Sequence, residues 1–359
     1  MTNKRIMNNK IVTFGEVLLR FSKLGYRRIG QGDLYKGNYG GSEANVAVSL
    51  ATLGDDVQYV TRLPDSRVGL ACKMHLNEYN VGLDHVVYGG DRLGVYYFEE
   101  AAAMRNSNVI YDREDSSFYS LQPGMIDWNE VLKDATLYHT SGIACAISKS
   151  SAEATIESMD VANKLGLTVS FDINFRKNLW KYGVEARPTL TKLCQESDIV
   201  FGDTGEYKLL TGMEVPFNAT SEDYEMDLEA WGKLFAKAQE ICPRCKHFLM
   251  AVRNQITTNH HVLTGLLYSE GKLYHTRLYN IENVIDPMGV GDAFIGAYLH
   301  AILKWPDNPQ HCLDFSLAAS AMKNTVPGDQ NIVSEEEIEN GIHYYRDKSF
   351  TDLIEWIEY

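Results

Sequence analysis

Long apolar runs are missing from this 359-residue sequence. None approaches the ~20 residues that cross a bilayer. The opening stretch 1–10 is polar and lacks the hydrophobic core of a secretion signal. Basic residues are in deficit, with 34 Lys+Arg against 48 Asp+Glu and a net charge of -14. A nucleic-acid partner needs a basic surface, so that class is excluded. A phosphorylated small molecule is not, because local amides, a metal ion and one or two cations suffice to hold it. The six cysteines, Cys72, Cys145, Cys194, Cys242, Cys245 and Cys312, are scattered and form no disulfide framework. Sparse thiols in a large chain suit a reducing compartment, so a cytoplasmic protein without membrane attachment is expected. There is no G-x-x-x-x-G-K-[ST] loop, no dinucleotide fingerprint at 37–41 and no protein-kinase motif set. P-loop enzymes, dehydrogenases and protein kinases are therefore poor fits.

With no internal repeat, low-complexity tract or Pro/Ser-rich linker, one main domain is the default. Short β-type runs at 10–14, 57–60, 137–139, 168–172, 199–201 and 248–252 are interspersed with helical stretches at 43–53, 151–165 and 185–194. In the first helix Ala44, Val46, Ala47, Leu50 and Leu53 form an apolar face that stops at Gly54. This alternation predicts an α/β fold with a mostly parallel sheet covered on both faces. Stretches 20–38 and 92–119 break the rhythm with aromatics, glycine and charge. Alternation at Tyr96-Tyr97-Phe98 there predicts strands outside the main sheet, forming a lid over the strand ends. An acidic stretch at 216–227 reads as an exposed insertion. From 334 the pattern is helical, with Ser334 and Glu337 spaced as a capping box.

The richest chemical signal is the string 283–294, N-V-I-D-P-M-G-V-G-D-A-F. A β-type run meets Gly289 and Gly291 and passes into an apolar helix, so unpaired backbone N–H groups gather at one point. Gly289, Val290 and Gly291 would hold a phosphoryl group as charge spreads over its oxygens. Asp292 would accept the proton of an attacking hydroxyl. The plainer alternative is that Asp292 only caps the helix. A second string, Gly40-Gly41-Ser42-Glu43-Ala44-Asn45, pairs glycines that admit close approach with an amide one helical turn on.

Together these strings resemble the two signatures of ribokinase-like (PfkB-type) sugar kinases, G-G-x-x-x-N and D-T-x-G-A-G-D-x-F. The resemblance spans residues 9–329. It implies a ribokinase-like three-layer α/β sandwich with a mostly parallel central sheet and a small β lid. The kinase domain is expected at 9–333, with the lid from 16–40 and 91–120, and a helical extension at 334–359. The implied reaction is ATP- and Mg²⁺-dependent phosphorylation of a sugar hydroxyl.

The acceptor is suggested by Asp172, Asn174 and Arg176, which alternate along and beyond a strand end. Arg113 and Arg176 converging on one pocket would suit a carboxylate. Within the family these features resemble 2-keto-3-deoxygluconate kinases, through G-G-[AS]-E-x-N and D-x-N-x-R. That resemblance carries substrate contacts onto Gly41, Asn45, Tyr96, Tyr111, Arg113, Arg176 and Asp329. Asn174, Glu206, Arg253, Gly289 and Gly291 are expected near ATP, with Glu206 organising Mg²⁺ indirectly. Arg113 as a surface charge and Glu206 as a mere helix-start acid are the plainer alternatives. A kinase for a neutral sugar such as fructose or ribose shares all the chemistry except the arginine pair. A sugar-acid sensor that has lost transfer is the rival of another class.

Two departures stand out. Asp203-Thr204-Gly205-Glu206 replaces the usual N-x-x-E, and 252–257 lacks the glycines of K-x-G-x-x-G, so the nucleotide wall must be built differently, with Arg253 and His261 as the candidates to contribute. Cys242, Cys245 and His247 invite a zinc reading, but no second Cys pair exists and a loop before a buried strand is preferred. His139 reads as structural. Exposed lid edges suggest pairing of lids in a homo-oligomer.

Overall fold

The computed structural model describes residues 10–102, 104–216 and 226–347. The acidic stretch 217–225 and the end of the C-terminal extension, 348–359, lie outside them. Successive residues of each apolar run point to opposite faces of one sheet, and this sorts the interior into two cores. In the strand Lys10–Phe14, Ile11 joins one core while Val12 and Phe14 join the other. Leu137 and Tyr138 divide in the same way, as do Leu249 and its neighbours Phe248 and Met250. Both faces are therefore apolar, and helices cover both.

The sheet runs in the order Asp56–Val60, Lys10–Phe14, Ala135–Ser141, Thr168–Asp172, Ile199–Phe201 and His247–Thr257, all parallel. Three antiparallel strands then extend one edge: His260–Ser269, Lys272–His275 and Tyr279–Ile281. Helices Ser42–Thr52, Val290–Lys304 and Pro309–Lys323 bury their apolar residues in the first core. Helices Lys149–Lys164, Ala186–Gln195 and Leu228–Ile241 cover the other face. The result is the three-layer ribokinase-like arrangement.

The lid is a separate four-stranded sheet ordered Lys36–Gly40, Leu18–Ser22, Gly94–Glu99 and Asn108–Asp112. Leu18, Tyr96 and Phe98 face inward with Val109 and Met288. The C-terminal helix Glu335–Asp347 sends Ile338 and Ile342 into the first core, so it is packed into the domain rather than appended to it. Its entry is the expected capping box, with Ser334 Oγ accepting from Glu337 N and Glu337 Oε2 accepting from Ser334 N.

One local expectation is corrected. The run before the glycine turn is not a strand at 283–286; the strand ends at Ile281. Pro287 offers no amide to a ladder, and the Ile285 and Asp286 amides donate instead to the Asn324 carbonyl at 2.8 and 3.2 Å. The chain reaches the turn as an irregular segment fastened to a distant loop.

Candidate active site

A cavity of about 460 Å³ lies between the carboxyl ends of the parallel strands and the lid. Gly41, Asn45, Tyr96, Tyr111, Arg113, Asn174, Arg176, Glu206, Arg253, Gly289, Val290, Gly291, Asp292 and Asp329 all border it. Helix Ser42–Thr52 packs directly on helix Val290–Lys304, and this contact brings the N-terminal and C-terminal strings to one wall.

Asp292 is held by both carboxylate oxygens. Ser42 Oγ donates to Oδ1 at 3.0 Å and Asn45 Nδ2 donates to Oδ2 at 2.7 Å. Asn174 Nδ2 in turn donates to Ser42 Oγ at 3.1 Å. Asn174 adopts a left-handed backbone conformation, φ 38°, just past the strand end. Strained backbone of this kind persists where surroundings over-determine it. Burial pushes the Asp292 carboxyl up to about 6, while the Asn45 and Ser42 hydrogen bonds and Arg176 pull it down. That is a carboxylate that is mostly charged at neutral pH yet basic enough to take a proton. One N–H of the Asn45 amide is thus taken by Asp292, and the residue borders the cavity.

Helix Val290–Lys304 starts at Gly289 with no side chain capping it, so its first amides are left for a ligand. Gly289 has φ 75°, and a Cβ there would overlap the Asp329 carbonyl. Gly41 is extended, but a Cβ on it would overlap the Glu16 carbonyl. Each glycine is required by backbone packed against backbone.

On the opposite side Glu206 closes a capping box: Asp203 Oδ1 accepts from Glu206 N, and Glu206 Oε2 accepts from Asp203 N at 2.7 Å. Its Oε1 accepts from Phe175 N at 2.5 Å. The helix-start reading of Glu206 is therefore real, and the residue also borders the cavity. Burial and then Asp203 push its carboxyl up to about 7. Asp172 is raised well above the usual range by burial, then by Glu206 and Asp292. Carboxylates that raise one another across a cavity fit a divalent cation bound mainly through phosphates and water, since Mg²⁺ takes few protein ligands and keeps its hydration. No group of three or more His, Cys, Asp or Glu side chains among the described residues is arranged to hold a metal unaided.

The two arginines differ. Arg176 extends over the cavity, exposed at its mouth. Arg113 is buried, and its Nε and Nη2 donate to Glu16 Oε2, the first at 2.8 Å. Ser116 Oγ donates to the other Glu16 oxygen. Arg113 is therefore not a surface charge: two of its N–H groups are matched by one carboxylate oxygen of Glu16, while the residue still borders the cavity. Asp329 is committed as well, with Oδ1 accepting from Arg20 Nη1 at 2.8 Å and Oδ2 accepting from the Tyr96 hydroxyl. The Tyr111 ring lies tilted beside that of Tyr96, centroids 6.0 Å apart, and its centroid is 5.5 Å from the Arg113 guanidinium carbon.

Arg253 borders the cavity; His261 does not, and burial holds it neutral with its pKa down to about 4. His139 is fully buried, paired with Ser170 Oγ at 2.9 Å, and burial lowers it to about 3. His247 Nδ1 pairs with the Tyr298 hydroxyl at 2.5 Å and the Cys245 thiol contacts main-chain carbonyls, which is packing chemistry. Sequence reasoning missed Glu16, Arg20, Ser42 and Lys323. Glu16 stands two residues beyond the first strand, which is a usable signal. Arg20 and Lys323 carry none, because a buried charge looks like a surface one until its partners are known.

The chain belongs to the pfkB family of carbohydrate kinases, whose family model matches residues 8–240 and 262–336. It is thus a phosphotransferase acting on an alcohol group. It is 29% identical to a 2-dehydro-3-deoxygalactonokinase of Haloferax volcanii over 334 residues, covering 93% of this chain and 96% of that one. A 5-dehydro-2-deoxygluconokinase of Clostridium botulinum is 26% identical over 318 residues, 87% and 86% of the two chains. The crystal structure of a 2-dehydro-3-deoxygluconokinase from Thermotoga maritima superposes with a TM-score of 0.87 at 32% identity, covering 93% of this chain and 99% of that one.

Proposed function

We propose that the chain phosphorylates the terminal hydroxyl of 2-keto-3-deoxygluconate with ATP, giving 2-keto-3-deoxy-6-phosphogluconate. The observation that carries this reading is a carboxylate, Asp292, fixed by two side chains beside an uncapped helix N-terminus, with Arg176 reaching over the same cavity. The hydroxyl oxygen bonds to the γ-phosphorus, its proton goes to Asp292, and the bond to the β-phosphate oxygen breaks with its electrons leaving on ADP. Amides at 289–292 hold the transferring oxygens, and Arg176 takes the sugar carboxylate. Mg²⁺ supplies charge neutralisation on the phosphates when bound, with Glu206 the residue to orient its water. The organised base argues against a sensor that has lost transfer.

The pairing of Arg113 with Glu16 favours a second reading, a neutral-sugar kinase, because it sets part of the Arg113–Arg176 pair against a carboxylate of the protein's own. A coupled ADP-release assay with Mg-ATP separates them, using the gluco and galacto epimers of the keto-deoxy acid, 5-keto-2-deoxygluconate, gluconate, fructose and ribose. Turnover confined to 2-keto-3-deoxy acids supports the reading; turnover on fructose or ribose alone sinks it.

A homo-oligomer through the lid is part of the same proposal. The lid's outer strands, Lys36–Gly40 and Asn108–Asp112, each pair on one side only, which leaves edges for a second copy. A cytoplasmic location is supported by six unpaired, buried cysteines. Among the described residues no helix is long and apolar enough to cross a membrane.

A further inference from the structure

Lys323 has no exposed surface, and the reaction described above gives it no task. It closes helix Pro309–Lys323, and its Nζ donates to the main-chain carbonyls of Asp286 at 3.5 Å and Val326 at 2.9 Å. Those carbonyls belong to the two segments that meet beneath the phosphate-holding turn. The same segments are tied by Gly328 N to Asp286 Oδ2 at 2.9 Å, and the helix itself is tied to the turn by Ser320 Oγ donating to the Val290 carbonyl at 2.8 Å. The turn is thus stitched to the end of one helix, and the ammonium lies among the stitches.

Burying an ammonium is costly unless its charge is matched. Here Asp286 and Asp329 supply carboxylates, and Arg20 bridges both of them, with Nη2 2.8 Å from Asp286 Oδ2 and Nη1 2.8 Å from Asp329 Oδ1. Burial pushes the Lys323 ammonium down to about 8 against the pull of Asp286 and Asp329, so the cation persists at neutral pH. A carbonyl turned onto Nζ is a carbonyl turned away from an incoming phosphate. A dehydrated monovalent cation in a carbonyl-lined hole is also the arrangement by which proteins bind potassium, whose hydration shell carbonyl oxygens replace.

We propose that the Lys323 ammonium is a built-in monovalent cation, a positioning residue that holds the turn 286–292 in shape and makes phosphoryl transfer indifferent to potassium. This rests on the sugar-kinase reading. The test measures kcat and KM of the full chain in potassium, ammonium and tetramethylammonium chloride at one ionic strength, for wild type, Lys323→Met and Lys323→Ala.

Wild-type turnover is expected to be the same in all three salts. Lys323→Met is expected to lose about 100-fold in kcat, the scale of a misplaced reacting group, with little change in sugar KM. Lys323→Ala, which leaves a hole, is expected to regain most of its loss in potassium or ammonium and none in tetramethylammonium. Its melting temperature is expected to rise in the same two salts, a readout that needs no turnover. If the wild type is inert on every acceptor while that melting shift appears, the kinase reading fails and the cation site stands. Strong activation of the wild type by potassium, or a Lys323→Met enzyme with normal kcat, overturns the proposal. So does a folded Lys323→Ala protein that responds to neither ion.

Discussion

Asn45 donates its Nδ2 to Asp292 Oδ2 over 2.7 Å, although 247 residues separate the two in sequence. The amide comes from the first helix and the carboxylate from a helix near the other end of the chain. Their contact fixes the direction in which Asp292 presents its remaining lone pairs. Asp292→Asn is expected to lower kcat by about 10²–10⁴-fold, the usual weight of a general base, with sugar KM changed only a few-fold. Steady-state kinetics on the preferred acceptor check this, and near-normal turnover would remove Asp292 from the chemistry.

The acid side of the pH profile follows from the same contact. With its carboxyl at about 6, Asp292 must lose its proton before it can accept another. Activity should therefore be flat at neutral pH and fall about tenfold per unit below the inflection. Asn45 stabilises the charged form, so Asn45→Ala should move that limb to higher pH. A limb that stays in place in Asn45→Ala would assign the titration to another group.

Arg113 and Arg176 should respond differently to truncation. Arg113→Ala leaves Glu16, only 2% exposed, without its partner inside the protein. The expected cost is about 3–5 kcal/mol of stability, read by denaturant unfolding, with loss of activity following unfolding. Arg176→Ala should leave unfolding nearly unchanged and raise KM for the acid sugar while sparing neutral analogues. Equal weakening for both kinds of acceptor would deny Arg176 a carboxylate contact.

Glu43 gives a stability prediction. It is fully buried, Ser141 Oγ donates to its Oε1 at 2.5 Å, and its Oε2 has no partner. Burial pushes its carboxyl up to about 7, opposed first by the Ser141 hydrogen bond. A raised carboxyl favours the folded state below its unfolded pKa and loses that advantage as pH rises through the folded value. The stability gap between Glu43→Gln and wild type should therefore shift in the variant's favour by about 2–3 kcal/mol between pH 4.5 and pH 8. Unfolding curves at the two pH values measure it; a gap that does not move with pH would mean that Glu43 is charged in the folded protein throughout.

The sequence by itself determined the α/β layering, because near-continuous apolar runs such as 10–14 and 199–201 are stable only in a sheet covered on both faces. It also determined the glycine turn and the acid beside it, since glycines at 289 and 291 ahead of an apolar helix encode a local geometry. The lid was legible from alternation at 96–98. What each polar side chain does was decided only by the tertiary structure. Nothing beside Arg113 in sequence shows that Glu16 accepts from it, and nothing beside Asn45 shows that Asp292 does. Arg20 and Lys323 read as surface charges until burial places them among Asp286, Asp329 and the carbonyls of two distant loops. Local backbone preference follows from neighbours in sequence. A hydrogen bond or ion pair belongs to whichever groups the fold brings within 3 Å or so, and that pairing is not written in either residue's surroundings along the chain.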